Sequence, residues 1–141
     1  MLNPEFERLL RRIYADTSII AVVGATRNKN KAGYFIPRYL QAQGYRIIPV
    51  NPAYDEVLGE RAYPTLRDVD EDIDVVDVFR PSAEAAGIAV DAVSIGANVL
   101  WLQPGVVSDD AGAIARAAGM AVVMDRCMGA THAELGLGEG P

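Results

Sequence analysis

Five short apolar runs, each closed by a turn residue and separated from the next by a helical pattern, predict an α/β fold. The expected form is Rossmann-like and doubly wound, a mostly parallel five-stranded sheet with helices on both faces. The first run, Ile19–Val23, is unbroken and mostly β-branched, the pattern of a strand buried on both faces. It stops at Gly24, where a backbone without Cβ can turn sharply, and a helical pattern resumes at about Gly33-Tyr34. Strand, glycine turn and helix start together form the place where α/β proteins bind phosphates, because free N–H groups and the positive helix end face the ligand. Arg27, Lys29 and Lys31 lie on this loop although the chain as a whole is acidic.

The elements follow in order. Asn3 caps a first helix over residues 4–15, with Pro4 at its first position and Phe6, Leu9, Leu10 and Ile13 at helical spacing. After the basic loop, Tyr34, Ile36, Tyr39 and Leu40 give a stripe that ends at Gly44, and Pro37 falls near its start. The second strand is Tyr45–Val50, and Pro49 predicts that pairing ends there. Gly59 marks an excursion, and Pro64-Thr65 opens a helical turn around Leu66–Val69. Asp74–Phe79 is the third strand, and Ser82 is the expected cap of a helix ending near Gly96. Val99–Leu102 is the fourth strand, with Trp101 in the core, and Ser108 or Asp109 caps a helix that ends at Gly119. Met120–Met124 is the fifth, and a short helix follows Asp125. Right-handed crossovers make 3-2-1-4-5 the leading strand order.

Composition narrows the function. A chain of 141 residues, half of them hydrophobic, fits one domain over residues 1–141. A formal charge of −6 disfavours nucleic acid as a partner. No apolar run reaches the roughly 20 residues of a membrane span, and the charged start is unlike a signal peptide. With its single cysteine, the chain is expected in the reducing cytoplasm.

Ligands of such sheets lie beyond the carboxyl ends of the strands. Gly24–Lys31, Asn51-Pro52, Phe79-Arg80-Pro81, Gln103-Pro104-Gly105 and Asp125-Arg126-Cys127 follow the five strands there. A dinucleotide site needs an acid after the second strand, and this strand ends in Val50-Asn51-Pro52 with no acid until Asp55. Thr26 stands where the dinucleotide fingerprint has its second glycine, and the Gly-Lys-Ser/Thr ending of a triphosphate loop is missing. A ligand with several phosphates and no acid-bound ribose fits the basic loop better than NAD.

The segments Ile20–Ala25, Lys31–Tyr34, Pro49–Pro52, Glu56–Gly59, Val76–Arg80, Val99–Gly105 and Val123–Cys127 resemble, in order, the stand-alone CoA-binding protein family. That family is similar to the CoA-binding domain of the succinyl-CoA synthetase α subunit. The resemblance implies coenzyme A or an acyl-CoA across the strand ends, with a site comprising Gly24, Ala25, Thr26, Arg27, Lys29, Lys31, Gly33, Tyr34, Asn51, Pro52, Phe79, Arg80, Pro81, Gln103 and Pro104. Thr26–Lys31 would hold the phosphates, Asn51-Pro52 and Phe79-Arg80-Pro81 the nucleotide, and Gln103-Pro104 would lie towards the pantetheine end.

The synthetase works through a phosphorylated histidine in a second domain that this sequence does not contain. The one histidine, His132, reads as a surface or tail residue, and no catalytic set or metal-ligand spacing can be assembled. Cys127 reads first as a buried filler, with a sharper alternative in which it reaches the pantetheine thiol. The expected function is a CoA-binding module without catalysis of its own or a metal. Two other classes stay open: an NAD-dependent oxidoreductase, and an interaction subunit whose protein partner supplies the chemistry.

Overall fold

The computed structural model describes residues 2–141. Helix α1 (Pro4–Asp16) begins where the Asn3 side chain accepts hydrogen bonds from the N–H groups of Glu5 and Phe6. It leads into β1 (Ile19–Val23), α2 (Ala32–Ala42) and β2 (Arg46–Val50). A two-residue turn at Leu58-Gly59, both at positive φ, joins the short strands β3 (Glu56–Val57) and β4 (Glu60–Arg61). A 3-10 turn at Leu66–Asp68 is closed by reciprocal Thr65–Asp68 capping. Then come β5 (Val75–Val78), α3 (Ser82–Ser94), β6 (Val99–Leu102), α4 (Asp109–Ala117), β7 (Ala121–Val123) and α5 (Met128–Glu134).

Five strands form one all-parallel sheet in the order β2-β1-β5-β6-β7, while β3 and β4 form a separate antiparallel pair. The doubly wound class is as the sequence predicts, but the strand order differs from 3-2-1-4-5. In sequence order the main strands lie 2-1-3-4-5, because β5 crosses to the far side of β1. The place outside β2 is filled by a single parallel bridge between Val50 and Tyr63, in which Tyr63 donates to Pro49 O and accepts from Asn51 N. The excursion is thus a strand reduced to one residue. The same geometry explains why pairing does not stop at Pro49. Its missing N–H faces this almost unpaired edge, and the β1 ladder runs on through Val22↔Pro49 to Val23↔Val50.

Alternation along the strands divides the core. Ile20, Val22, Ile47, Val75, Val99 and Trp101 pack with Leu10, Ile13, Ile36, Leu40 and Met128, so α1, α2 and α5 cover one face. Ala21, Ile48, Val76, Val78, Leu100 and Leu102 pack with Ala85, Ala89, Ala92, Ala111 and Ala115, so α3 and α4 cover the other. Ser82 is the first residue of α3 rather than its cap, which is Pro81. Its hydroxyl instead joins the loop after β6, accepting from Val107 N and donating to Gly105 O. Ser108 caps α4 as expected. No described helix is long and apolar enough to cross a membrane.

His132 is not a surface residue. It is 4% exposed on α5, and its ring meets Tyr14, Tyr39 and Tyr45 edge-on at centroid distances of 5.2, 5.5 and 5.9 Å. Its Nδ1 lies 2.8 Å from the Tyr39 hydroxyl. Burial pushes its pKa below the ordinary value, so the folded state holds the neutral ring. The unfolded chain gains a proton as pH falls through about 6.5 while the folded chain resists, so this stability is full above that pH and is lost below it. Urea unfolding of the wild type and His132→Gln is expected to show a wild-type advantage of about 1–3 kcal/mol at pH 7.5 that shrinks by pH 5. A gap independent of pH would show that the ring is not held neutral.

Candidate functional site

Every strand of the main sheet ends at the same rim, and the loops leaving β1, β2, β5 and β6 surround one depression there. The turn after β1 depends on Gly24, whose φ is +93°. A Cβ at Gly24 would lie 2.9 Å from Phe79 O and 3.0 Å from Arg80 Cδ, so only glycine lets the β1 and β5 loops touch. Gly33 performs the matching task from α2, since a Cβ there would sit 2.8 Å from Gly24 O. Pro37 completes the arrangement. It has no N–H to donate to the carbonyl of Gly33 one helical turn earlier, and that carbonyl accepts from Thr26 N at 3.3 Å instead.

The loop between is tied by its own side chains. Thr26 Oγ1 accepts from Asn28 N, Asn28 Oδ1 accepts from Asn30 N, and Lys31 N donates to Asn28 O. No side chain caps α2 at Lys31, so the first-turn N–H groups of Ala32 and Gly33 open at the rim. Asn51 bridges from β2: its Nδ2 donates to Ala25 O at 2.8 Å and its Oδ1 accepts from Ala53 N. Tyr54 reaches Thr26 Oγ1 at 3.2 Å. That hydrogen bond, a second to the Arg27 backbone and the charges of Lys31 and Arg27 hold its phenol below the ordinary range.

A cavity of about 840 Å³ lies on this framework. Of the residues expected from sequence, Gly24, Thr26, Lys31, Gly33, Asn51, Phe79, Arg80, Pro81, Gln103 and Pro104 line it. Pro52 lines a smaller adjoining cleft of about 320 Å³ walled by Val50, Leu66 and Ile88, and the two spaces share Gly24, Asn51 and Arg80. Arg80 is held by Glu84 at 3.1 and 2.7 Å. Ala25 is buried behind the loop, while Arg27 and Lys29 are exposed outside the cavity wall. Tyr34 is also off the wall, beneath the Arg38 guanidinium at 5.7 Å. Sequence reasoning missed Phe35, Ile36, Ala53, Tyr54 and Val106 as lining residues. Phe35 and Ile36 directly follow Lys31–Tyr34 on the first turns of α2, which was a usable signal.

The far end of the cavity is held by the loops after β6 and β7. Trp101 Nε1 donates to Arg126 O at 2.7 Å, and Asp125 accepts from Gly105 N at 2.7 Å. Cys127 is half-buried, packed against the core on one side and lining the cavity on the other, and its thiol accepts from Ala130 N at 3.3 Å. Beneath Gln103 lies Asp77, wholly buried in β5. Gln103 Nε2 donates to Asp77 Oδ1 at 2.5 Å, and Asp77 Oδ2 has no partner. Burial pushes the Asp77 carboxyl up to about 7, against the opposing pull of Gln103. Among the described residues no cluster of His, Cys, Asp or Glu is arranged to hold a metal ion.

Two outcomes follow from this geometry. Gly33→Ala is expected to lower stability by about 1–3 kcal/mol, because backbone rather than a flexible side chain must move to admit the methyl group. Chemical denaturation measures this, and an unchanged midpoint would mean that the loop yields freely. Asp77→Asn is expected to raise stability at pH 8 by up to roughly 4 kcal/mol. Between about pH 4 and 7 the unfolded chain releases the Asp77 proton while the folded chain keeps it, so wild-type stability falls as pH rises through that window. The gap between variant and wild type should therefore narrow towards pH 4, and a gap already full at pH 4 would contradict the shift.

The sequence profile described as CoA binding domain matches residues 18–133. Over 136 residues the chain is 37% identical to the Bacillus subtilis protein YneT, covering 94% of this chain and 98% of that one. A solved structure of a Pyrococcus horikoshii protein superposes with a TM-score of 0.89 at 34% identity, covering 92% of this chain and 91% of that one. The ADP-forming acetate–CoA ligase of Methanocaldococcus jannaschii is 36% identical over 63 residues, which are 45% of this chain and 9% of the ligase. On the profile match and the near full-length relative, the chain belongs to the CoA-binding domain family.

Proposed function

We propose that the chain binds coenzyme A or an acyl-CoA across the carboxyl ends of β1, β2, β5 and β6 and carries out no bond chemistry of its own. The observation that carries this reading is the single cavity running from the open N-terminus of α2, with Lys31, to Gln103 and Pro104. Phosphates meet the N–H groups of Ala32 and Gly33, the Thr26 hydroxyl and the Lys31 ammonium, with Arg27 and Lys29 supplying positive potential from outside the wall. The adenosine lies beside Asn51, Pro52 and Arg80, where the smaller cleft offers an apolar slot between Val50, Leu66 and Ile88. The pantetheine arm crosses Phe79 and Pro81 towards Gln103. Absence of catalysis is supported by His132, whose ring is enclosed by three tyrosines and is not on the cavity wall.

Asn51 stands where a dinucleotide site would place its acid, and its carboxamide is already committed to Ala25 and Ala53. Calorimetric titration is therefore expected to show CoA binding and no comparable NAD binding. Equal or tighter NAD binding overturns the reading. Replacing Arg27, Lys29 and Lys31 together with Ala should weaken CoA at low salt by roughly tenfold or more and flatten its salt dependence. Lys31, the one of the three on the wall, should account for most of the loss.

A further inference from the structure

Gln103 is 3% exposed and yet lines the cavity. Its backbone is fixed on both sides, because its N–H donates to Val78 O at 3.2 Å and its carbonyl accepts from Val106 N at 2.9 Å. Only the direction of the terminal amide remains to be set, and a glutamine amide unconstrained by neighbours can present either a donor or an acceptor.

Asp77 sets it. In the sheet register Asp77 stands between Val22 and Trp101, on the face covered by α1, α2 and α5. The nearby phenol that might have donated to it, Tyr14, gives its proton to Met128 O at 2.6 Å. The one hydrogen bond on the Asp77 carboxyl is therefore the 2.5 Å contact from Gln103 Nε2. An ionised carboxyl offers only acceptors, and a carboxyl protonated at the unpartnered Oδ2 still offers Oδ1 as one. With Nε2 donating to Oδ1, as the structure has it, the NH₂ end of Gln103 turns inward and the carbonyl oxygen is left for the cavity.

From this geometry we infer that Asp77, which touches no ligand, is a positioning residue that fixes Gln103 as a hydrogen-bond acceptor for an amide N–H of the ligand. The inference rests on the reading of the cavity as a coenzyme A site, where the pantetheine arm carries two secondary amides. It gives a role to a carboxyl in the centre of the sheet, where an apolar residue would pack without a lone unpartnered oxygen. It also assigns a specificity: a ligand presenting only acceptors at that depth meets the wrong end of Gln103.

The test uses the full chain and two ligands, coenzyme A and adenosine 3′,5′-bisphosphate, which lacks the pantetheine arm. Asp77→Leu is expected to weaken CoA by roughly tenfold and to leave the bisphosphate unchanged, because only the pantetheine contact depends on the amide direction. Gln103→Leu should give the same pattern, and the double variant should be no weaker than Gln103→Leu alone, since Asp77 acts only through that side chain. Asp77→Asn keeps an acceptor but allows the paired amides to turn round, so its CoA affinity should fall between wild type and Asp77→Leu. Equal loss for both ligands, no loss for either, or additive effects in the double variant would each overturn the positioning role. Failure of the wild type to bind CoA would instead overturn the functional reading, so the two failures are distinct.

Discussion

The contact of Gly33 with the carbonyl of Gly24 is the constraint on which the site depends. It brings the first turn of α2 directly onto the end of β1, with no side chain between them, and a Cβ on Gly33 would lie only 2.8 Å from Gly24 O. The same contact brings Gly33 O within reach of Thr26 N, and Pro37 ensures that no helical N–H competes for that carbonyl. A proline inside a helix normally weakens it by removing one bond. Here the freed acceptor fastens the loop after β1, so the loss within the helix is offset at the rim. Asn51 then links the β2 loop to Ala25, and Gly24 lies against Phe79. Three strand ends are thereby joined through two glycines and one asparagine.

The division of the core into two layers explains why the site sits above one part of the sheet. On the α3 and α4 side the buried helix residues are largely alanine, which lets those helices lie close to the sheet, and the smaller cleft opens beside α3. On the other side large rings accumulate: Trp101, Tyr14, Tyr39 and His132 fill the space beneath α1, α2 and α5. Polar atoms on those rings must be satisfied, and they are. Trp101 bonds Arg126 O, Tyr14 bonds Met128 O, and Tyr39 meets His132. These bonds secure α5 and the loop after β7, from which Cys127 reaches the cavity wall. Asp77 is the exception in this layer, with one oxygen unpartnered, and it is the polar core residue that reaches the cavity through a neighbour.

Much of this was legible in the sequence. Ile19–Val23 and Val99–Leu102 are strands with the bounds that their apolar runs predict, and Asn3 and Ser108 cap as their types require. Strand order was not legible, because a strand reduced to Tyr63 leaves no apolar run to count. Pro49 misled for a related reason: its effect depends on whether it lies on an edge, which is a property of order and not of local pattern. Ten of the proposed site residues fall on one cavity since strand ends in a parallel sheet share a rim, but Arg27, Lys29 and Tyr34 do not. Position in a loop does not say which way a side chain points. His132 reads as a tail residue in one dimension, and only the packing of α5 against Tyr14 of α1, Tyr39 of α2 and Tyr45 encloses it.

Charge placement completes the link from sequence to ligand. The acidic excess is uneven: Asp68, Asp70, Glu71, Asp72 and Asp74 crowd the segment that enters β5. Because every main strand is parallel, the entry of β5 lies at the opposite end of the sheet from the rim where Arg27, Lys29 and Lys31 stand. The acidic run and the basic loop thus stand at opposite ends of the sheet. The loop after β1 therefore carries a local positive charge, although the chain carries a formal charge of −6. Net charge alone would predict poor capture of an anion. The parallel topology reverses that prediction locally, because it sends the acidic entry segment and the basic loop to opposite ends.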